Sequence, residues 1–172
     1  MSGRAAFALV ASIVVSAALA APAQAEMLKF HADLDGKYGS EPTGSPATGH
    51  AKVRIDTATR RVSVDLHVAG ITVDQLWTKL VQRPIGPIHF HNYTGAATAL
   101  ALPLPYGAAY HPKANGIHVV MKDFDYASDA ALVNSKLTFD DFVDGIRKGL
   151  IVLNVHTNKF NPGEISGLVV PD

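Results

Sequence analysis

Ala51-Lys52-Val53-Arg54-Ile55, then Asp56-Thr57-Ala58-Thr59-Arg60, then Val62-Ser63-Val64-Asp65-Leu66-His67-Val68 is the stretch whose reading decides the fold. In both arms every second residue is apolar, the period of a strand with one face in a core and one in water. A helix would repeat its apolar positions at three and four residues instead. The five residues between the arms are small or polar, and Asp and Thr there bond their own backbone in turns. The stretch therefore predicts a β-hairpin with a slightly long loop.

Outward from the hairpin the same pattern recurs. Leu28-Lys29-Phe30-His31-Ala32-Asp33-Leu34 alternates, and Gly36–Gly49, with four Gly, two Pro and two Ser, reads as a loop. Further strands are expected at Ile88–His91, Ile117–Val120 and Leu150–His156, with Glu164–Val170 returning across Asn161-Pro162-Gly163. Pro103–Gly116 reads as a loop. Two short helices interrupt the strands. Thr138 caps Phe139–Lys148, with Asp141 at the third helical position and Gly149 ending the run, and Thr72 with Gln75 opens a weaker one over Val73–Leu80. Some seven strands at short spacing predict an all-β fold, an antiparallel Greek-key sandwich or barrel of immunoglobulin-like type, with minor helices in its connections.

The first 25 residues follow a different logic. Arg4 is their only charge, Ala5–Ala20 is apolar, Pro22 breaks the run, and Ala23-Gln24-Ala25 is a small-x-small exit. This describes a secretory signal peptide, residues 1–25, with Glu26 opening the mature chain. The apolar run is shorter than the roughly 20 residues a membrane span needs. A secreted or periplasmic location is expected, with no span after signal removal. Residues 26–172 then suit one domain.

The chain has no cysteine, so disulfides contribute nothing to its stability. Loss of Arg4 leaves 14 basic against 15 acidic residues, which gives no electrostatic reason to expect nucleic acid or anionic membrane as a partner. The excess lies in histidine, with eight residues, all after position 25. Imidazole is the side chain most used to bind transition metals.

Residues two apart on a strand share a face, so His89 and His91 project together and Phe90 projects the other way. His156 ends the C-terminal apolar strand. Three histidines from two strands suit copper or zinc and leave a position for water or substrate. The alternative has them hydrogen-bonded to backbone, Glu164 or Asn154, holding loops at one end of the fold. His118, on a predicted strand, is the candidate fourth ligand, and His111 follows it. His31, His50 and His67 fall on polar positions and read as surface residues. Asp140, Asp141 and Asp144 form the solvated face of the helix that buries Phe139, Phe142, Val143 and Ile146. No serine sits in a nucleophile elbow and no phosphate-binding glycine loop occurs, which speaks against a hydrolase or nucleotide enzyme.

Phe30-x-Ala32-x-Leu34, Thr48-Gly49-x-Ala51 and Val68-Ala69-Gly70-Ile71-Thr72 resemble the first half of a CHRD (chordin) domain. Ile88-His89-Phe90-His91 is similar to that family's central His-Ile-His segment. Leu153-Asn154-Val155-His156-Thr157 through Pro162-Gly163-Glu164-Ile165-Ser166-Gly167 resembles its ending. Asn92 stands where the family often has Gly, Ser166 stands for the usual Arg, and Val73–Arg83 is longer than the pattern. A more distant resemblance is to copper-zinc superoxide dismutases, by the order of a His-x-His strand, a Val-His strand and a Gly-rich return. It implies a dismutase-like sandwich with His89, His91 and His156 matching copper ligands; the cysteine pair and zinc loop of that family are missing.

Three functions of different classes fit the chain. The first is an exported protein that binds a metal ion, copper preferred and zinc the alternative. The runner-up is a non-catalytic module that binds an extracellular protein or matrix polymer through its loops, with structural histidines. The third is an enzyme of the dismutase type using copper. A monomer or a homodimer suits all three, since an exposed sheet edge invites pairing.

Overall fold

The structure is a computed structural model that describes residues 26–39, 41–94 and 97–172. The proposed signal peptide, residues 1–25, lies outside these. Among these described residues ten strands form: β1 (Met27–Asp35), β2 (Thr48–Asp56), β3 (Arg61–Ala69), β4 (Ile88–Thr94), β5 (Ala97–Leu104), β6 (Tyr110–Lys113), β7 (Gly116–Asp125), β8 (Ile151–Val155), β9 (Ile165–Leu168) and β10 (Val170–Pro171). Three helices, α1 (Thr78–Val81), α2 (Tyr126–Leu132) and α3 (Phe139–Arg147), lie in the connections. All strand pairs are antiparallel, and the all-β architecture is as expected.

The strands form one continuous sheet in the order β5-β4-β8-β9-β1-β2-β3-β7-β6, with β10 beside β1. Its two edges, β5 and β6, are consecutive in the chain and joined only by Pro105–Ala109. In a flat sheet, eight spacings of about 4.8 Å would hold these edges about 38 Å apart. The connection spans at most about 22 Å. The sheet must therefore curl, and it does so as a partial barrel. Tyr110, buried at the start of β6, donates its hydroxyl proton to the Leu104 carbonyl at the end of β5, 2.7 Å away. Each edge carries a proline, Pro103 on β5 and Pro112 on β6, which cannot donate to a further strand.

The interior is lined by the apolar alternates: Phe30, Ala32 and Leu34; Ala51, Val53 and Ile55; Val62, Val64 and Leu66. The hairpin of β2 and β3 pairs Asp56 with Arg61 at its closed end, and the Asp56 carboxylate accepts from the Ala58 and Thr59 amides at 2.9 and 3.2 Å. Helix α3 closes the interior. Thr138 accepts from the Asp141 amide at 3.1 Å, the reciprocal Asp141 bond completes the capping box, and Phe142 packs edge-on to Phe90 at 5.9 Å between ring centres.

Three segments differ from expectation. Pro103–Gly116 contains the end of β5 and all of β6. Helix α2 forms where none was expected, capped by Asp125, which accepts from the Ser128 amide at 2.9 Å. The helix expected over Val73–Leu80 divides into a 3-10 turn, Val73–Gln75, and α1, because Leu76 is buried and forms a β-bridge with Thr157.

Phe142 is fully buried between Phe90 and Tyr126. Phe142→Ala is expected to destabilise the fold by about 3–5 kcal/mol, read from urea unfolding midpoints at constant m. A loss below about 1 kcal/mol would mean that α3 does not seal this core.

A three-histidine cluster on the face opposite the core

On β4, Ile88, Phe90 and Asn92 face the interior, so His89, His91 and Tyr93 face the other way. The register with β8 places His89 opposite Asn154 and His91 opposite Val152. His156 lies two residues beyond Asn154 and is carried to the same face. Its amide bonds the Pro87 carbonyl at 2.8 Å, and its carbonyl accepts from the Trp77 amide at 3.0 Å. The sheet thus brings together residues 89, 91 and 156, with one ligand atom of each within 4.8 Å of the others.

Two of the rings are oriented by a second contact. His89 Nδ1 lies 3.0 Å from the Gly86 carbonyl, and His156 Nδ1 lies 2.8 Å from the Asn161 carbonyl. A carbonyl only accepts, so both Nδ1 atoms carry the proton and both Nε2 atoms present a lone pair. His156 Nε2 is buried without a partner. His89 Nε2 lies 2.9 Å from His91 Nε2. Since the His89 Nε2 offers a lone pair, this contact takes its proton from His91 Nε2.

Glu164, one of the groups expected to hold these histidines, is engaged elsewhere. Its two oxygens accept from Ser45 and Thr157 hydroxyls at 2.7 and 2.6 Å. Asn154 donates to the Tyr93 hydroxyl at 3.3 Å rather than to an imidazole.

The cluster is sealed from water on most sides. His89 and His156 are 2% and 5% exposed, and His91 is the partly open member. Trp77 lies 6.3 Å from the His156 ring, and a cavity of about 450 Å³ over the site is lined by Trp77, Leu80, Ile85, Leu100 and Pro162 as well as by the histidines. Burial favours uncharged imidazole. It holds His89 well below the ordinary histidine value, reinforced by its neighbours His156 and His91, and lowers His156 in the same sense. Burial and the nearby His156 bring His91 down to about 4.

Backbone geometry fixes one partner. Gly86 has φ +70°, and a Cβ there would lie 2.0 Å from the Leu104 carbonyl oxygen, so only glycine can present this carbonyl to His89.

His118, the expected fourth ligand, is not brought to the cluster. It sits on β7, with β8, β9, β1, β2 and β3 between its strand and β4, and it bonds Asp65 at 2.8 Å. The spacing of a histidine on a strand fixes its face but not the strand's place in the sheet. His111 is on β6, beyond β7. Sequence reasoning missed the carbonyls of Gly86 and Asn161, the Trp77 cover and the Tyr93–Asn154 pair. Only the glycine-bearing Arg83-Pro84-Ile85-Gly86 turn offered a signal.

Among known proteins, the CHRD domain family matches residues 30–169. No curated protein and no solved structure is similar enough to match.

Without metal, the three rings are neutral when folded and take up protons near pH 6.5 when unfolded. Because the folded values are the lower ones, the unfolded chain binds more protons between about pH 6.5 and about 4, and stability falls as pH falls through that window. His91 alone contributes up to about 3 kcal/mol of this loss. Urea midpoints in chelator at several pH values are expected to fall more steeply for the wild type than for His91→Gln. Equal slopes would contradict the neutral, buried state of the ring.

Proposed function

The chain belongs to the CHRD domain family, and from that premise we propose that it is an exported protein that holds one transition-metal ion, copper by preference, on His89, His91 and His156. The observation that carries this is the convergence of the three imidazoles, with the far nitrogens of His89 and His156 tied to carbonyls. Metal-bound histidine almost always donates its other N–H in this way.

The donor set fits the ion. Two nitrogens at about 2.0–2.1 Å from one metal stand about 2.9 Å apart when their bonds meet at a right angle and about 3.3 Å apart when they are tetrahedral. The His89–His91 Nε2 separation of 2.9 Å is small enough for both nitrogens to reach one ion. All-imidazole ligation ranks copper above zinc in the divalent series. Metal binding requires deprotonated nitrogen, and burial supplies it at neutral pH. When bound, copper would supply a redox-active Lewis acid. The chain's own residues orient the rings, exclude water with Trp77 and Leu80, and leave the His91 side open to solvent.

Export rests on the Arg4, Ala5–Ala20 and Ala23-Gln24-Ala25 pattern, and no helix among the described residues is long and apolar enough to cross a membrane. In an expressing cell, the mature protein should begin at Glu26, which intact mass and N-terminal sequencing will decide. Recovery only of the full-length chain in the cytosol would reject export.

Tag-free protein is expected to take up about one equivalent of copper tightly at this cluster, and His89→Ala or His156→Ala to abolish that uptake. Elemental analysis after gel filtration reads the first, and the Cu(II) electron paramagnetic resonance spectrum, through its nitrogen hyperfine pattern, assigns the ligands. No tight copper in the wild type, or wild-type nitrogen ligation in both variants, would sink the proposal. Copper-loaded protein that fails to consume superoxide would remove the dismutase-type reading and leave the binding site standing.

A further inference from the structure

The five histidines outside the buried cluster are not scattered. The strand register sets His50 of β2 opposite His67 of β3, His67 opposite His118 of β7, and His118 opposite His111 of β6. Directly paired residues share a face, so these four form a cross-strand row. Asp33 of β1 continues it, opposite His50 and 2.7 Å from its Nδ1. His31 stacks beside His50 at 6.3 Å.

At the centre of the row two imidazoles converge. The His67 and His118 rings stack at 3.9 Å, and their Nε2 atoms lie 3.3 and 2.8 Å from the same oxygen of Asp65. Asp65 precedes His67 by two residues and so shares its face. Stacked imidazolium ions this close would repel each other, and each ring has solvent to turn toward. Both Nε2 atoms stand instead against one carboxylate oxygen, and with it they make a three-donor set open to solvent.

We propose that Asp65, His67 and His118 form a second, solvent-facing site for a divalent transition-metal ion of the imidazole-seeking series, separate from the buried cluster. One face of that ion would be taken by the three side chains and the rest by water. The mixed nitrogen–oxygen set suits zinc, whose common ligands are His and Asp. His111, whose ring centre lies 6.1 Å from that of His118, is the nearest additional imidazole. The half-buried position of His118 and its place between paired strands hold the set together before an ion arrives.

Zinc is the probe, because a diamagnetic ion leaves imidazole resonances visible. Full mature chain, free of any tag and labelled with ¹⁵N, is titrated with zinc chloride while its histidine ring nitrogens are followed by long-range ¹H–¹⁵N correlation. The His67 and His118 Nε2 signals are expected to move together and saturate. Asp65→Asn and His118→Gln should each weaken that transition by about 10- to 100-fold or more. His67→Gln, at an exposed position, provides a third variant should His118→Gln fold poorly. The signals of His89, His91 and His156 report the buried cluster separately, so either site can fail alone. Unmoved His67 and His118 signals at millimolar zinc would overturn the proposal, as would wild-type titration curves in Asp65→Asn and a histidine variant.

Discussion

The antiparallel register between β4 and β8 is the constraint on which the molecule's chemistry depends. Pairing His89 with Asn154 and Phe90 with Leu153 decides at once which side chains enter the core and which leave it. A slip of one residue would bring His89 and His91 into an apolar interior and turn Phe90 to the outer face. The interior prevents that slip. Phe90 is wedged against Phe142, and Ile88 and Val155 are fully buried beside it. The histidines are thus positioned by hydrophobic packing on the other side of the sheet.

The strands legible in the sequence are those with one wet face. Alternation is strong in β1, β2 and β3, because each sends charged or polar residues outward, and their bounds agree with expectation to within a few residues. Strand β5, Ala97–Leu104, has no alternation to read, since small apolar residues lie on both faces and Pro103 suggests a loop. That proline is tolerated because β5 is an edge. Strand β6 is hidden in the same way by Pro112. Of the cluster, the common face of His89 and His91 follows from period two alone. That β8 neighbours β4 does not, and the placement of His118 failed for the same reason: spacing along a strand carries no information about strand order.

Strand order also divides the eight histidines into two sets with opposite physical character. Those on β4 and after β8 are covered by Trp77 and Leu80 and held as neutral bases. Those on β1, β2, β3, β6 and β7 stand in a solvent-facing belt with carboxylates interleaved at Asp33, Asp65 and Asp172. One is mostly buried and the other faces solvent. A single count of histidines in the composition conceals this difference.

The first strand lies in the middle of the sheet, and its neighbours on one side are made of the last residues: Asp35 pairs with Ser166, and Phe30 and His31 pair with β10. While the ribosome is still synthesising the chain, β1 has its partner β2 but an open flank that nothing yet available can fill. Closure of the fold must wait until residues 165–171 have been made, and the contacts they make with β1 are among the most distant in sequence, which slows folding. A chain delayed in this way stays pliable until the partners of its first strand have been made.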